Sequence, residues 1–167
     1  MDSAQKTQIF FSLVTTLFFV GCAEKADNTV SQTAHFEQEK AAILATINSE
    51  TEAAFTRDYE RWQEKWVHEP FVTKTYMQMN DSSLSETLGW NEINEFVKTY
   101  IAEHPEPEPV PRLLDDIDVR LYGNGAWVSF EQDDSVRGVK RETRLMEKID
   151  GQWKIAGMHT TIYGFQE

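Results

Sequence analysis

Two histidines have the side-chain chemistry best suited to acid–base catalysis, because imidazole titrates near neutral pH. His159 lies on the last predicted strand with the same parity as Trp153 and Ile155, so a concave face there would point it into a pocket as a general acid or base. His68 precedes the first predicted strand and could face His159 across the mouth of that cavity. Two alternatives stay open. Each histidine could only fasten neighbouring backbone, and a bulge near Gly157 would turn His159 to the other face.

Aromatic side chains are abundant enough to build both a core and the wall of a cavity, with five Trp, five Tyr and ten Phe in the chain. Such rings commonly line sites for apolar ligands. Each ring taken singly could equally belong to the core. As a group they predict a pocket for a small, partly apolar molecule. The candidate pocket residues are Trp62, Trp66, Tyr76, Trp90 and Tyr100.

The charged residues predict an ion pair, and the sequence has no motif that predicts a cofactor. Glu142 and Arg144 share a parity on a predicted strand, which favours pairing on the solvent face; if that face were turned inward, Arg144 would be a ligand for an anion. No metal site is predicted, because the four histidines are far apart and the only cysteine is Cys22. The sequence has no glycine-rich phosphate loop and no dinucleotide fingerprint, so no cofactor is predicted.

The N-terminal residues predict export and lipid attachment. Ile9–Val20 is an apolar run that suits a signal peptide and is too short to span a bilayer. Phe19-Val20-Gly21-Cys22 resembles the lipobox of bacterial lipoproteins, which implies a signal peptide over residues 1–21 and a membrane anchor through lipid on Cys22. Ala23–Ala34 is polar and without periodicity, which predicts a flexible tether within residues 22–36. The protein would then lie in the bacterial cell envelope, facing the periplasm or the cell surface.

Helical periodicity begins near Glu37 and predicts a long first helix. Arg57-Asp58 indicates a break, with Asp58 as the N-cap of a shorter second helix. A third helix is predicted from Gly89-Trp90, and it must stop by His104 because alternating prolines follow.

Strand patterns dominate the second half of the chain. One earlier strand is predicted between the second and third helices, and an antiparallel meander closes the sequence, with tight turns at Asn124-Gly125 and Asp150-Gly151. Helices packed on one face of one curved, mostly antiparallel sheet make an α+β domain over residues 37–167. The predicted strands are Phe71–Met79, Asp118–Tyr122, Ala126–Gln132, Arg141–Ile149 and Trp153–Ile162.

Five short segments carry a resemblance to a known family. They are Arg57-Asp58-Tyr59-Glu60-Arg61-Trp62, Val67-His68-Glu69-Pro70-Phe71, Gly89-Trp90-Asn91-Glu92-Ile93, Val119 to Val128, and Leu145 to Ile155. Together they resemble the SnoaL-like branch of the nuclear transport factor 2-like superfamily. The resemblance implies a cone in which three N-terminal helices pack on the curved sheet and leave a pocket at the wide end. It also implies frequent homodimerisation through the sheet.

Two functions remain open, because this superfamily contains both enzymes and binding domains. The first is a lipid-anchored, non-catalytic homodimer that binds a small, partly apolar ligand or an envelope partner. The second is an isomerase, dehydratase or polyketide-cyclase-like enzyme that uses His159 as its acid or base. A cone filled by its own aromatic residues is the third possibility. The net charge of −12 would repel nucleic acid, so no nucleic-acid partner is predicted.

Overall fold

The computed structural model describes residues 23–134 and 138–164, and the chain divides into two compact units, Met1–Ala34 and His35–Glu167. The predicted signal peptide and Cys22 lie outside the described residues. No helix in the described ranges is long and apolar enough to cross a membrane.

Helix α1 extends over Ala23–Thr56, so it begins before the predicted start near Glu37. The backbone of Ala23–Ala34, for which the sequence predicts a flexible tether, is therefore helical in the structure. The segment opens with alanine, glutamate and lysine, which are strong helix formers. These residues favour a helix but form no apolar periodicity, so the sequence pattern did not predict a helix here. Further along α1, Ile43 and Ile47 are fully buried in the core.

The predicted break after α1 is confirmed. Arg57 adopts a left-handed φ of 62°, which ends the first helix, and Asp58 then caps α2, Tyr59–Glu64. The Asp58 carboxylate accepts a hydrogen bond from the Arg61 backbone N–H at 3.1 Å. An Asp at this position satisfies one of the amide groups that a helix N-terminus leaves without an intrahelical partner.

Six strands of the described residues form one curved mixed sheet in the order β2-β1-β6-β5-β4-β3; β1 and β6 are parallel, and the other neighbouring strands in it are antiparallel. Helix α3, Trp90–Glu103, follows the first two strands, so the three helices are not all N-terminal to the sheet. Strand β2 was not predicted, because five of its six side chains are exposed and no apolar alternation marks it. The strands are β1 Thr73–Gln78, β2 Ser83–Leu88, β3 Asp118–Tyr122, β4 Gly125–Asp134, β5 Gly138–Ile149 and β6 Gln152–Gly164.

A bulge in β6 reverses the side-chain alternation along the last strand. Leu145 pairs with Gly157, whereas the next residue, Met146, pairs with Ile155, so Ala156 is the extra residue. Side chains that face inward therefore have odd residue numbers before the bulge and even residue numbers after it. Met158 is buried on the inner face, and His159 is exposed on the outer face.

Candidate functional site

The inner face of β5 carries charged side chains that are almost fully buried. Lys140, Glu142 and Arg144 alternate along the strand, and the side chains of Glu142 and Arg144 are 2% and 3% exposed. The Glu142 carboxylate accepts hydrogen bonds from Lys140 Nζ at 2.9 Å and from Arg144 Nε at 2.8 Å. The expectation of a solvent-face ion pair was therefore wrong. The pair exists, but it faces the core.

Glu50 on α1 joins these charges to the aromatic residues of the interior. Its Oε1 atom accepts hydrogen bonds from the indole N–H groups of Trp62 at 2.8 Å and Trp66 at 3.3 Å. Its Oε2 atom lies 3.4 Å from Arg144 Nη2. One carboxylate therefore fixes two indole rings and one guanidinium group.

Opposite charges keep the buried pair ionised. Burial raises the pKa of Glu142, but the charges of Arg144 and Lys140 outweigh it and hold that pKa below its ordinary value. Burial likewise lowers the pKa of Arg144, and the carboxylates of Glu142 and Glu50 more than compensate. Charged residues without such partners would be costly at these depths.

Lys74 on β1 completes what we call the inner cluster, namely Glu50, Lys74, Lys140, Glu142 and Arg144. Burial lowers the pKa of Lys74 to about 8, against the opposing charge of Glu50. In the described ranges, no carboxylate lies within ion-pairing distance of its amine. Four aromatic rings surround Lys74 Nζ instead, with centroids 5.5–5.9 Å away; they belong to Trp62, Trp66, Tyr76 and Phe96.

Strand register sets the spacing of the inner cluster. Arg144 and Lys74 both pair with Met158 from opposite sides, so their backbones are two strand spacings, or roughly 10 Å, apart. In the neighbouring inward row, Thr160 lies between Glu142 and Tyr76. Met158, itself buried, lies between Arg144 and Lys74 in the same inward row.

Two buried polar atoms on the inner face have no hydrogen-bond partner within the described residues. They are Nη1 of Arg144 and Oγ1 of Thr160. Buried polar groups are nearly always satisfied, so each such atom calls for an explanation. A guanidinium N–H and a hydroxyl on adjacent inward rows could both donate to one anionic group.

The structure brings together three of the five predicted pocket residues. Trp62 and Trp66 are buried with ring centroids 5.6 Å apart, and Tyr76 lies against Lys74. Trp90 adjoins them by stacking on Trp62 at 5.8 Å. Tyr100 has a different environment, since its hydroxyl donates to Glu108 at 2.8 Å.

Neither predicted catalytic histidine reaches the inner cluster. His159 is exposed on the outer face, as the alternative of a bulge near Gly157 anticipated. His68 is exposed, stacks on Trp90 with 3.9 Å between centroids, and donates from Nε2 to the Gln63 carbonyl at 2.9 Å. That geometry fastens the loop between α2 and β1. No group of three metal-ligating side chains occurs in the ranges that the structure describes.

Sequence reasoning missed Glu50, Lys74, Lys140 and Thr160. Lys74 shares a strand parity with Tyr76, which was predicted to line the pocket, so the parity of β1 could have identified it. Thr160 could not be placed without knowledge of the bulge at Ala156.

Two depressions on the described surface are open to solvent, and the first adjoins the inner cluster through Phe96, whose ring centroid lies 5.5 Å from Lys74 Nζ. One, of about 380 Å³, runs along α3 beside Phe96 and Tyr100. The other, of about 570 Å³, lies on β3 and β4 beside Tyr122 and Trp127. The charged side chains of the inner cluster themselves line neither of these two depressions.

The architecture is that of the nuclear transport factor 2-like α+β proteins. The chain belongs to the SnoaL-like domain family, whose model matches residues 43–163. No curated protein is significantly similar to it in sequence.

Similar solved structures share the fold at low identity. A nuclear transport factor 2-like protein of unknown function from Pseudomonas putida has a TM-score of 0.59 at 14% identity, covering 78% of this chain and 96% of its own. A cystatin-like fold protein from Burkholderia xenovorans has a TM-score of 0.57 at 20% identity, covering 75% and 92%. A candidate dehydratase from Streptomyces avermitilis has a TM-score of 0.56 at 13% identity, covering 76% and 97%.

Proposed function

We propose that this domain binds a small, partly apolar molecule with a carboxylate or similar anionic group on the inner face of its sheet. The observation that carries the proposal is a pair of buried polar atoms without a hydrogen-bond partner among the described residues, Nη1 of Arg144 and Oγ1 of Thr160, on neighbouring inward rows of the sheet. Hydrogen bonds to charged groups contribute roughly 1.5–3 kcal/mol each, so an anion held by these donors would gain appreciable affinity.

The aromatic residues support an apolar body for the same ligand. Trp62, Trp66 and Tyr76 lie around the Lys74 amine, and Glu50 joins the two indole rings to Arg144. An aromatic carboxylate such as benzoate has this combination of a flat apolar ring and an anionic end. It is therefore the probe that we would use.

The variant Thr160→Val distinguishes two hypotheses, namely that the inner cluster is a ligand site or that it is a purely structural network. In a purely structural network, removing an unpartnered buried hydroxyl should leave the free energy of unfolding unchanged or raise it by about 1 kcal/mol. In a ligand site, the same change should also weaken benzoate binding by roughly tenfold. Calorimetric titration and urea unfolding measure the two quantities on the same samples.

Thr161→Val is the matched control, because Thr161 is the next residue of β6 and lies on the opposite face. It should leave benzoate affinity unchanged. Equal affinities for wild type and Thr160→Val, or no measurable benzoate binding by wild type, would contradict the proposal. Native mass spectrometry of protein purified from its host would identify a molecule retained in the interior, and a chain without added mass would favour a cone filled by its own side chains.

We further propose that the protein is held on a bacterial membrane by lipid on Cys22 and faces the periplasm or the cell surface. The apolar run before Cys22 supports this location. Cys22→Ser should move the protein from the membrane fraction to the soluble fraction. Retention of the variant on membranes would rule out this anchor.

An enzyme of the isomerase, dehydratase or cyclase kind was the alternative, with His159 as its acid or base. Support for that role is weak, since His159 is exposed on the face of the sheet opposite the inner cluster. A reaction at the inner face would need another titratable group.

A further inference from the structure

Lys74 is the one member of the inner cluster whose amine has no ion-pair partner among the described residues. Arg144 and Lys140 both contact Glu142, whereas Lys74 Nζ lies over the faces of four aromatic rings. Lys74 nevertheless retains 7% of its accessible surface, and the neighbouring Phe96 is 45% exposed. The amine is thus mostly buried, and it lies next to a ring that borders solvent.

We propose that the Lys74 amine is a carbonyl-reactive site that condenses with a small aromatic or apolar aldehyde or ketone to form an imine. The proposal rests on the proposed function in one respect, namely that the interior admits a small organic molecule. Flat rings around the amine would pack against the body of an aromatic aldehyde and leave its carbonyl carbon facing the nitrogen.

The chemistry is balanced without an added redox partner. The nitrogen lone pair of the neutral amine attacks the carbonyl carbon, and the π electrons of the carbonyl move to oxygen. The resulting carbinolamine then loses that oxygen as water. Both protons of this water come from the amine, and a C=N double bond remains.

The surroundings favour a neutral amine at moderate pH. Burial lowers the pKa of Lys74 to about 8, and the charges of Arg144 and Lys140 on β5 act in the same direction. Glu50 on α1 and Glu142 on β5 oppose them. Compared with an ordinary lysine, the neutral fraction at neutral pH is then larger by on the order of a hundredfold.

Reductive trapping tests the proposal. The full chain would be treated with benzaldehyde and sodium cyanoborohydride, and the benzylated lysines would be mapped by peptide mass spectrometry. Lys74 should be labelled about tenfold faster than the exposed lysines, because lower basicity reduces nucleophilicity and offsets part of the gain in neutral amine. Its rate should rise with pH and level off above about 8.

Two lysines of the same chain are internal controls. Lys98 also lies over an aromatic ring, that of Tyr59 at 5.1 Å, but it is exposed. Lys140 is buried, but it is ion-paired to Glu142. Preferential labelling of Lys74 over both supports the proposal, and labelling spread over the exposed lysines with Lys74 unmodified overturns it. The experiment uses the wild-type chain, so its outcome does not depend on whether a variant folds.

The imine and the anion site can fail separately. Benzoate binding that depends on Thr160, without any label on Lys74, would overturn the imine and leave the proposed function intact. Labelling of Lys74 without benzoate binding would support the imine and overturn the anion site.

Discussion

Lys74 brings a positive charge into an aromatic environment, and that charge lowers the stability of the fold. Its pKa falls from 10.5 to about 8 on folding, so the unfolded chain binds more protons between these two values. Lys74 therefore lowers the free energy of unfolding by its full amount below about pH 8, and this penalty disappears as the pH rises toward 10.5.

We predict that Lys74→Met increases the free energy of unfolding at neutral pH by about 1–3 kcal/mol, because it removes the cost of a buried ammonium group. The gain over wild type should be constant below about pH 8 and should shrink as the pH rises toward 10.5. Urea unfolding across this pH range measures it.

Lys98→Met is the control for this prediction, since Lys98 also contacts a ring but is exposed. It should change stability by less than about 0.5 kcal/mol at any pH. A Lys74→Met variant less stable than wild type at pH 7 would show that the ammonium–ring contacts outweigh the cost of burial.

At the level of single residues, the sequence located the aromatic part of the site better than its charged part. Trp62, Trp66 and Tyr76 were predicted as pocket residues, and all three lie at the inner cluster. Lys140, Glu142 and Arg144 have the composition of a solvent-exposed strand face. Only their mutual pairing allows them to be buried, and pairing across strands is not visible in a local pattern.

At the level of elements, the helix break at Arg57-Asp58, helix α3 and the closing meander were predicted because each has its own local determinant. Asp58 caps α2, and alternating prolines follow α3. Strand β2 has no buried face, so its position depends on pairing with β1 and not on its own composition.

The bulge at Ala156 decides which residues of β6 reach the site. Without it, the parity of Trp153 and Ile155 would extend to His159, as the sequence suggested. Gly157 follows the bulge, and a Cβ atom there would lie only 3.3 Å from Leu145 Cδ1. The Leu145 side chain therefore lies close to this glycine where the parity changes. Because of the change of parity, Thr160 faces the inner side of the sheet and His159 does not.

At the level of the whole molecule, the outer face of the sheet has apolar residues that a monomer would leave in water. Trp127 is 48% exposed, and its register partner Leu145 is 46% exposed. Tyr122 on the neighbouring strand is 66% exposed on the same face. Contiguous exposed apolar side chains of this kind commonly mark a protein interface. They support the expectation, implied by the family resemblance, of a homodimer formed through the sheet.

We predict that Leu145→Glu converts a dimer to a monomer, because two copies related by a twofold axis would each bury a carboxylate at the centre of the interface. The loss should be about 3 kcal/mol or more of association free energy, which is a dissociation constant raised at least about a hundredfold. Sedimentation velocity over a range of concentrations measures this change. Leu84→Glu is the matched control, since Leu84 is 63% exposed but lies on β2 at the far edge of the sheet. A wild-type chain that sediments as a monomer, or equal dimerisation of both variants, would exclude this face as the interface.

Because Leu145 and Arg144 are adjacent on β5 and point to opposite faces, a dimer built on Leu145 would also stiffen the strand that holds the inner cluster. Benzoate affinity should then fall together with dimerisation in Leu145→Glu and remain unchanged in Leu84→Glu.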